Sequence, residues 1–456
     1  MRNLGKLAVL GITALGLALA GPQDNSLVIG ASQEPRVLAG DFLSVISNQA
    51  IKSEIEQYLF APFIGFNADS QNFPVLATEV PTLENGRLRV TDIGGGKKRL
   101  EMDITIRPDA KWSDGRPITT EDVAFYFEVG KAKGMPVLNP DFWERVNVRI
   151  KDARNFTLIF EPAYYYDTYG PINTYAPKHI MGPEWERVKA AARGLDPQKD
   201  AEKLNELYRN FFIKFSTPQA LNRGAMVYSG PFMLRRWVPG NSIEMVRNPN
   251  FPIKPEGGES KYVQKVVYRF IQNTNSLLVA VIGGSIDATS SVSLTFDQGR
   301  SPQLVRRAPG RFDIWFVPGA IWEHIDINKF ENCQVVKDLG LNDKRTRQAI
   351  LHALNREGLV KAFFDGLQPV AHTWIAPVNP LFNPNVKKYG FDLKKAEALL
   401  AEMGWRKGPD GILQRTVNGR TVIVHVGDGE ANATVDGTHF NVRSLWQLYQ
   451  LLRLLV

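Results

Sequence analysis

Residues 111–128, KWSDGRPITTEDVAFYFE, carry a strand exit, a turn, a cap and a helix start in a single run. Ser113-Asp114-Gly115 is a turn tripeptide whose glycine can take a positive φ that a Cβ would oppose. Thr119 stands three residues before Asp122, the spacing at which a hydroxyl and a carboxylate exchange hydrogen bonds with the orphan amides of a helix N-terminus. Val123, Tyr126, Phe127 and Gly130 follow at i, i+3, i+4 and i+7, which predicts an amphipathic helix docking by one face. Read alone, the stretch is a scaffold corner in a mixed α and β domain and holds no chemistry.

Working outward, Leu100, Met102, Ile104 and Ile106 alternate with polar residues, the period of a strand with one buried face, and Arg107-Pro108 ends it. Val146, Val148 and Ile150 with Phe156, Leu158 and Phe160 predict a hairpin across the polar link Lys151 to Asn155. A second hairpin is predicted from Phe232–Trp237 and Ser242–Arg247 around Pro239-Gly240-Asn241. Ser26–Gly30 and Val263–Phe270 read as strands, Ile51–Phe60 as a helix with Ile51, Ile55, Tyr58 and Leu59 on one side, and Phe312–Val317 and Ile321–Ile327 as two further strands. Helices are predicted behind Asp343 and across Phe391–Trp405, and residues 185–215 are charged and helix-prone.

A chain of 456 residues exceeds one core, and 44% hydrophobic with 22% charged residues is an ordinary globular composition. Arg2 and Lys6, the apolar run Leu7–Leu19 and Ala18-Leu19-Ala20 describe a secretory signal peptide over residues 1–20, the competing reading being a membrane anchor. Gly21 stands where a lipid-anchored protein would need cysteine, so a freely soluble exported protein is expected. Removal of Arg2 and Lys6 lowers the formal charge from +8 to +6 (8 − 2). Basic residues are scattered, without the stripe and interleaved aromatics that nucleic-acid binding needs. The single cysteine, Cys333, has no partner for a disulfide. The histidines never fall at i, i+3 or i+4, no G-x-S-x-G elbow is present, and Gly94-Gly95-Gly96-Lys97 lacks phosphate-loop spacing. A surface or structural role is expected for His179, and neither an enzyme nor a cofactor or metal site is expected.

The 111–128 stretch resembles the signature of the family-5 extracellular solute-binding proteins, the peptide- and nickel-binding components of ABC importers. Agreement extends to Pro74–Pro81, Ala176-Pro177-Lys178-His179-Ile180, Ser229-Gly230-Pro231-Phe232 with Asn248-Pro249-Asn250-Phe251, Gly284-Ser285-Ile286-Asp287, the Asp343–Arg356 element, and Asp392–Leu400 with Gly408–Gly411. Asn355 replaces an aspartate of the pattern, and Lys344 and Thr346 replace apolar residues.

The resemblance implies an α/β fold: a two-lobed periplasmic binding protein of type II with a β-rich subdomain inserted in lobe one. The expected division is residues 21–67 and 171–320 for lobe one, 68–170 for the insertion, 321–426 for a partial lobe two, and 427–456 for an atypical tail. Asp428–His439 is polar and unpatterned, and Leu445–Val456 is apolar around most of a helix. The likeness stops near Gly427, so the second lobe is expected to be incomplete and peptide binding weak or absent; a lineage-specific C-terminus is the alternative. The implied function is capture of a short peptide or similar solute in an interlobe cleft and delivery to an inner-membrane permease by a periplasmic monomer. An exported oligosaccharide-binding protein or a glycan hydrolase is the rival reading. Candidate ligand-binding residues are Gln33 and Glu34 on the first loop, Trp322 and His324 beyond the hinge, and Trp374. Core packing competes for the aromatics and a solvated loop for Glu34.

Overall fold

The computed structural model describes residues 25–67, 71–164, 173–254, 262–316, 319, 322, 324–379, 382–409, 411–427, 430–435 and 438–441, with backbone alone beyond residue 423. The expected signal peptide, Tyr165, Tyr166, Tyr169 and Leu445–Val456 lie outside these residues. The chain divides into two compact units, with the boundary between Ile314 and Trp315.

The first unit runs β1 (Ser26–Ala31), α1 (Ala50–Leu59), β2 (Ile64–Phe66), β3 (Asn72–Pro74), β4 (Leu88–Gly94), β5 (Lys97–Thr105), α2 (Thr120–Gly130), α3 (Pro140–Arg145), β6 (Val146–Ile150) and β7 (Asn155–Phe160). It continues with α4 (Lys178–Ala192), α5 (Ala201–Ser216), α6 (Pro218–Asn222), β8 (Phe232–Val238), β9 (Ser242–Arg247), β10 (Lys265–Phe270), α7 (Thr274–Ile282), β11 (Ala288–Thr289), α8 (Phe296–Gly299) and α9 (Pro302–Arg307).

Its main sheet has the order β11-β1-β10-β9-β8. β1 is parallel to β10, from Ser26 opposite Lys265 to Ala31 opposite Phe270, and parallel to β11 through Ile29 and Ala288. β9 is antiparallel to both β10 and β8. Central β1 buries Val28, Ile29 and Ala31, which explains its unbroken apolar sequence. Gly230 passes so close to the end of α1 that a Cβ there would lie 2.6 Å from Leu59 backbone. A side chain at 230 would push the β8–β9 hairpin away from α1.

The second sheet, β4-β5-β7-β6, is antiparallel and two-faced. Leu100, Met102, Ile104, Phe156, Leu158 and Phe160 are buried on one side. On the other, Asp103 accepts from Arg89 at 2.8 Å, Lys151 at 2.9 Å and Thr157 at 2.6 Å. Desolvation opposes ionisation of Asp103, yet these donors outweigh it and hold the carboxyl below its ordinary range.

Helix α2 has the expected cap: Thr119 accepts from Glu121 N at 3.3 Å, and Asp122 Oδ2 accepts from Thr119 N at 3.0 Å. It does not dock by one face alone. Phe125 and Val129 belong to the core under the main sheet, Val123 and Phe127 to the core of the second sheet. The helix is wedged between two cores, leaving Glu121, Ala124 and Glu128 as its exposed stripe. Asp122 also accepts from Trp112 Nε1 at 3.3 Å and, through Oδ1, from Lys178 N at 3.0 Å at the start of α4. One carboxylate therefore caps two helices. Burial raises its pKa, and the donors pull it back.

The helix-prone segment 185–215 contributes to this packing. Trp185 on α4 lies 5.1 Å from Phe211 on α5, both buried, together with Leu204, Tyr208 and Phe212. The segment 36–48 is clamped on α1 by charge. Lys52, 2% exposed, donates to Asp41 O at 3.0 Å and to Glu56 Oε2 at 3.1 Å, and Glu56 Oε1 accepts from Ala39 N at 2.9 Å. Asp41 accepts from Val45, Ile46 and Ser47 amides. The clamp holds Ala39 and Ser44 at left-handed φ values of 61° and 55°, a conformation non-glycine residues adopt at a cost.

The second unit contains α10 (Gln334–Leu339), α11 (Lys344–Ala353), α12 (Arg356–Phe364), α13 (Leu393–Glu402), β12 (Arg406–Lys407), β13 (Leu413–Val417), β14 (Arg420–Gly427), β15 (Glu430–Val435) and β16 (Thr438–Asn441). Asp343 caps α11 as expected, and Asp392 caps α13. One expectation fails. The described residues within 312–327 form no strand, because their alternation finds no neighbouring strand to bond. Glu430–Val435 and Thr438–Asn441, polar and unpatterned in sequence, form strands, since β14–β15–β16 is a meander whose backbone pairing does not require an apolar pattern.

Asp122→Ala leaves three donors without an acceptor, and the expected cost is about 3 kcal/mol or more, against about 1 kcal/mol for Thr119→Ala. Urea unfolding followed by near-UV circular dichroism compares them, and equal losses would contradict the two-helix cap. A second prediction concerns Glu56, whose carboxyl is pushed up to about 7, chiefly by burial, with Lys52 opposing. A raised carboxyl favours the folded state fully below its ordinary pKa of 4.5, and that contribution is lost as pH rises through about 7. The wild-type urea midpoint is therefore expected to fall between about pH 5 and 8 more steeply than that of Glu56→Gln.

Candidate functional site

Because β1, β10 and β11 are parallel, their carboxyl ends meet at one edge of the main sheet. The loops that follow these three strands, residues 32–35, 271–273 and 290–293, leave at that edge, where the β8–β9 turn also lies. In open α/β sheets the crevice beyond the carboxyl ends of the strands is where ligands seat. Backbone bonds knit the loops together: Ile271 N donates to Ala31 O at 2.8 Å, Ser290 N to Gly30 O at 2.9 Å, and Ser32 N to Val292 O at 2.9 Å. The Ser32 hydroxyl reaches the same Val292 carbonyl at 3.1 Å. Asn273 caps α7 by accepting from Ser276 N at 2.9 Å.

Glu54, on the second turn of α1, faces this edge. Its Oε1 accepts from Tyr268 Oη at 2.8 Å, and its Oε2 from the Ser290 hydroxyl at 2.9 Å, Ser291 N at 3.0 Å and the Ser291 hydroxyl. Tyr268 is fully buried, and burial first, then the neighbouring Tyr58 and Glu54, drives its phenol far above the ordinary range. Tyr268 is thus a fixed donor at the pH values at which proteins work.

The sequence-predicted residues fall in both units. Gln33 is exposed on the loop after β1. Glu34 is half-buried, and its carboxylate accepts from Trp237 Nε1 at 2.7 Å and from Gly240 N at 2.8 Å, bracing the β8–β9 turn from the same loop. In the second unit the rings of Trp322 and His324 lie 4.1 Å apart at 41°, and His324 Nε2 is 3.2 Å from Asp326 Oδ1. Trp374 is 55% exposed on the loop after α12.

The structure thus brings together Gln33 with Glu34 and Trp322 with His324. Sequence reasoning misses Glu54, Tyr268, Ser290 and Ser291, which carry no motif. The i, i+4 spacing of Lys52 and Glu56 is legible, but not their burial.

A shallow groove of about 520 Å³ between α2 and α4 is lined by Arg116, Glu121, Lys178 and His179, among others. Its polar groups are already paired, His179 Nε2 lying 2.9 Å from Asp114 Oδ2 and Lys178 3.1 Å from Glu121, so His179, in the first turn of α4, ties that helix to the 113–115 turn. Among the described residues no group of three or more His, Cys, Asp or Glu could hold a metal ion, and no helix is long and apolar enough to cross a membrane.

A family model of the bacterial extracellular solute-binding proteins, family 5 (middle region), matches residues 97–435. The oligopeptide-binding protein AppA of Bacillus subtilis is 24% identical over 415 residues, covering 86% of this chain and 62% of that protein. Its solved structure with a nonapeptide has a TM-score of 0.55 at 22% identity, covers 87% of this chain and 67% of that one, and speaks to the fold alone. The oligopeptide-binding protein of Thermus thermophilus, solved with a pentapeptide, is 97% identical with a TM-score of 0.78, covering 89% of this chain and 68% of that one. The chain spans about three fifths of the curated Bacillus relative's length. The α/β architecture is that of the type II periplasmic binding proteins, and the chain belongs to the family-5 bacterial extracellular solute-binding proteins.

Proposed function

We propose that this protein is the substrate-binding component of an ABC importer. It captures a short peptide outside the cytoplasm and hands it to a membrane permease, working as a monomer without turnover of its own. The observation that carries this reading is the 97% identity, over 89% of this chain, to the Thermus protein solved with a pentapeptide.

The carboxyl edge of the main sheet suits such a ligand. It offers backbone and hydroxyl groups, and peptides are held in large part through main-chain hydrogen bonds and bridging waters, which leaves side-chain selectivity broad. In this proposal Gln33 touches the solute, Glu34 shapes the loop that carries Gln33, and Trp322, His324 and Trp374 are contacts supplied by the second unit. Residues 68–170 are proposed as an accessory subdomain of lobe one, organised by the sheet β4–β7.

Isothermal titration of the 456-residue chain with pentapeptides and, separately, with oligosaccharides such as stachyose tests the substrate class. Against the weak or absent binding expected from the C-terminal sequence, and on the strength of the 97% identity, saturable heat is expected from the peptides and none from the sugars, and Trp322→Ala is expected to weaken peptide binding about tenfold, or about 1.4 kcal/mol. Binding of sugar in preference to peptide, or glycan cleavage products, would overturn the reading.

A further inference from the structure

The Ser290–Ser293 loop is short of apolar anchors. Ser290-Ser291-Val292-Ser293 offers one hydrophobic side chain, Val292, which packs partly buried against the main core. Such a segment at a sheet edge would ordinarily exchange its bonds with water. Here its polar groups converge instead on one carboxylate. Glu54 receives both serine hydroxyls and the Ser291 amide, while Tyr268 from β10 fills its other oxygen. Val292 N then donates to the Ser290 hydroxyl at 3.0 Å, and Val292 O receives both the amide and the hydroxyl of Ser32. An unbroken chain of bonds therefore runs from α1 through the loop after β11 to the first residue after β1, next to Gln33.

We propose that Glu54 is a positioning residue for solute binding: it fixes the Ser290–Ser293 loop and, through Val292, the Ser32–Glu34 segment in the geometry that receives the ligand, without touching the ligand itself. This rests on the peptide-binding reading above. Four donors on one carboxylate exceed what holding α1 on its sheet requires, since that helix already buries Ile51, Ile55 and Leu59. The surplus is directed at the edge loops. A loop ordered before the ligand arrives spares the ligand the cost of ordering it, so the effect of Glu54 falls on affinity.

The test uses the 456-residue chain with Glu54→Gln, which keeps the side chain's shape but replaces one acceptor oxygen by a donor, Ser291→Ala, the double variant, and Asp103→Asn in the distant ion-paired sheet as a stability control. Two readouts are taken. In hydrogen–deuterium exchange without ligand, Glu54→Gln is expected to speed exchange at residues 290–293 and at Ser32 at least about tenfold while leaving the β8–β9 hairpin unchanged. In titration with a pentapeptide, Glu54→Gln is expected to weaken binding about tenfold, with the double variant no weaker than Glu54→Gln alone because both remove one linkage.

Asp103→Asn is expected to lower the thermal midpoint and leave peptide affinity as in the wild type. The proposal is overturned if exchange at 290–293 and Ser32 is unaltered, if the affinity losses multiply, or if Asp103→Asn costs affinity in the same proportion to stability. Failure of the wild type to bind any pentapeptide would instead refute the proposed function, and the exchange readout would still decide whether Glu54 holds the loops.

Discussion

The buried carboxylate of Asp122 is the constraint on which the first unit turns. Set at 4% exposure between two hydrophobic cores, it satisfies the N-terminus of α2, the N-terminus of α4 and the indole of Trp112. Each donor would otherwise be a buried polar group without a partner, the costliest kind of local error. Satisfying them together fixes where two helices begin, and thereby how the main sheet and the antiparallel sheet sit on either side of α2. The desolvation that raises the pKa of Asp122 also makes its hydrogen bonds strong, because a low local dielectric strengthens a paired group as much as it penalises an unpaired one.

A similar economy governs α1. Its apolar residues hold it on the sheet, while three charged residues, Lys52, Glu54 and Glu56, organise polypeptide that has little hydrophobic reason to stay in place. Lys52 and Glu56 fasten the segment 36–48, with its left-handed Ala39 and Ser44; Glu54 fastens the serine loop. Glu34 does the same from the loop after β1, tying it to Trp237 and Gly240. The edge of the main sheet is thus shaped by carboxylates that bond to protein, which leaves neighbouring polar groups such as Gln33 exposed.

Local rules were the legible part of this sequence. The Thr119–Asp122 capping box, the alternation of Leu100 to Ile106 and the turn at Pro239–Asn241 are short-range signals, and each has its expected structure. What escaped depends on partners distant in the chain. Phe125 and Val129 face a different core from Val123 and Phe127, and the pattern of one helix does not reveal that two cores flank it. Phe312–Val317 alternates like a strand, but a strand needs a neighbour, and the described residues there have none. Glu430–Val435 and Thr438–Asn441 lack the pattern, yet pair as strands of a meander. Glu54 is the clearest case, with partners 214 to 237 residues away and no motif around it. Glu34 was legible as a residue of the right loop, but its bonds to Trp237 and Gly240 were not.

The hydrogen bonds of Glu34 and Glu54 describe a polar sheet edge tied together from within, which the proposed function assigns to a ligand recognised through its main chain. The most direct measurement is photo-crosslinking of the 456-residue chain with a pentapeptide bearing a photoreactive side chain, the adducts being mapped by mass spectrometry. The account predicts adducts within residues 32–35, 271–273 and 290–293 of the first unit. Adducts confined to the charged face of the sheet β4–β7, or to the groove between α2 and α4, would contradict it.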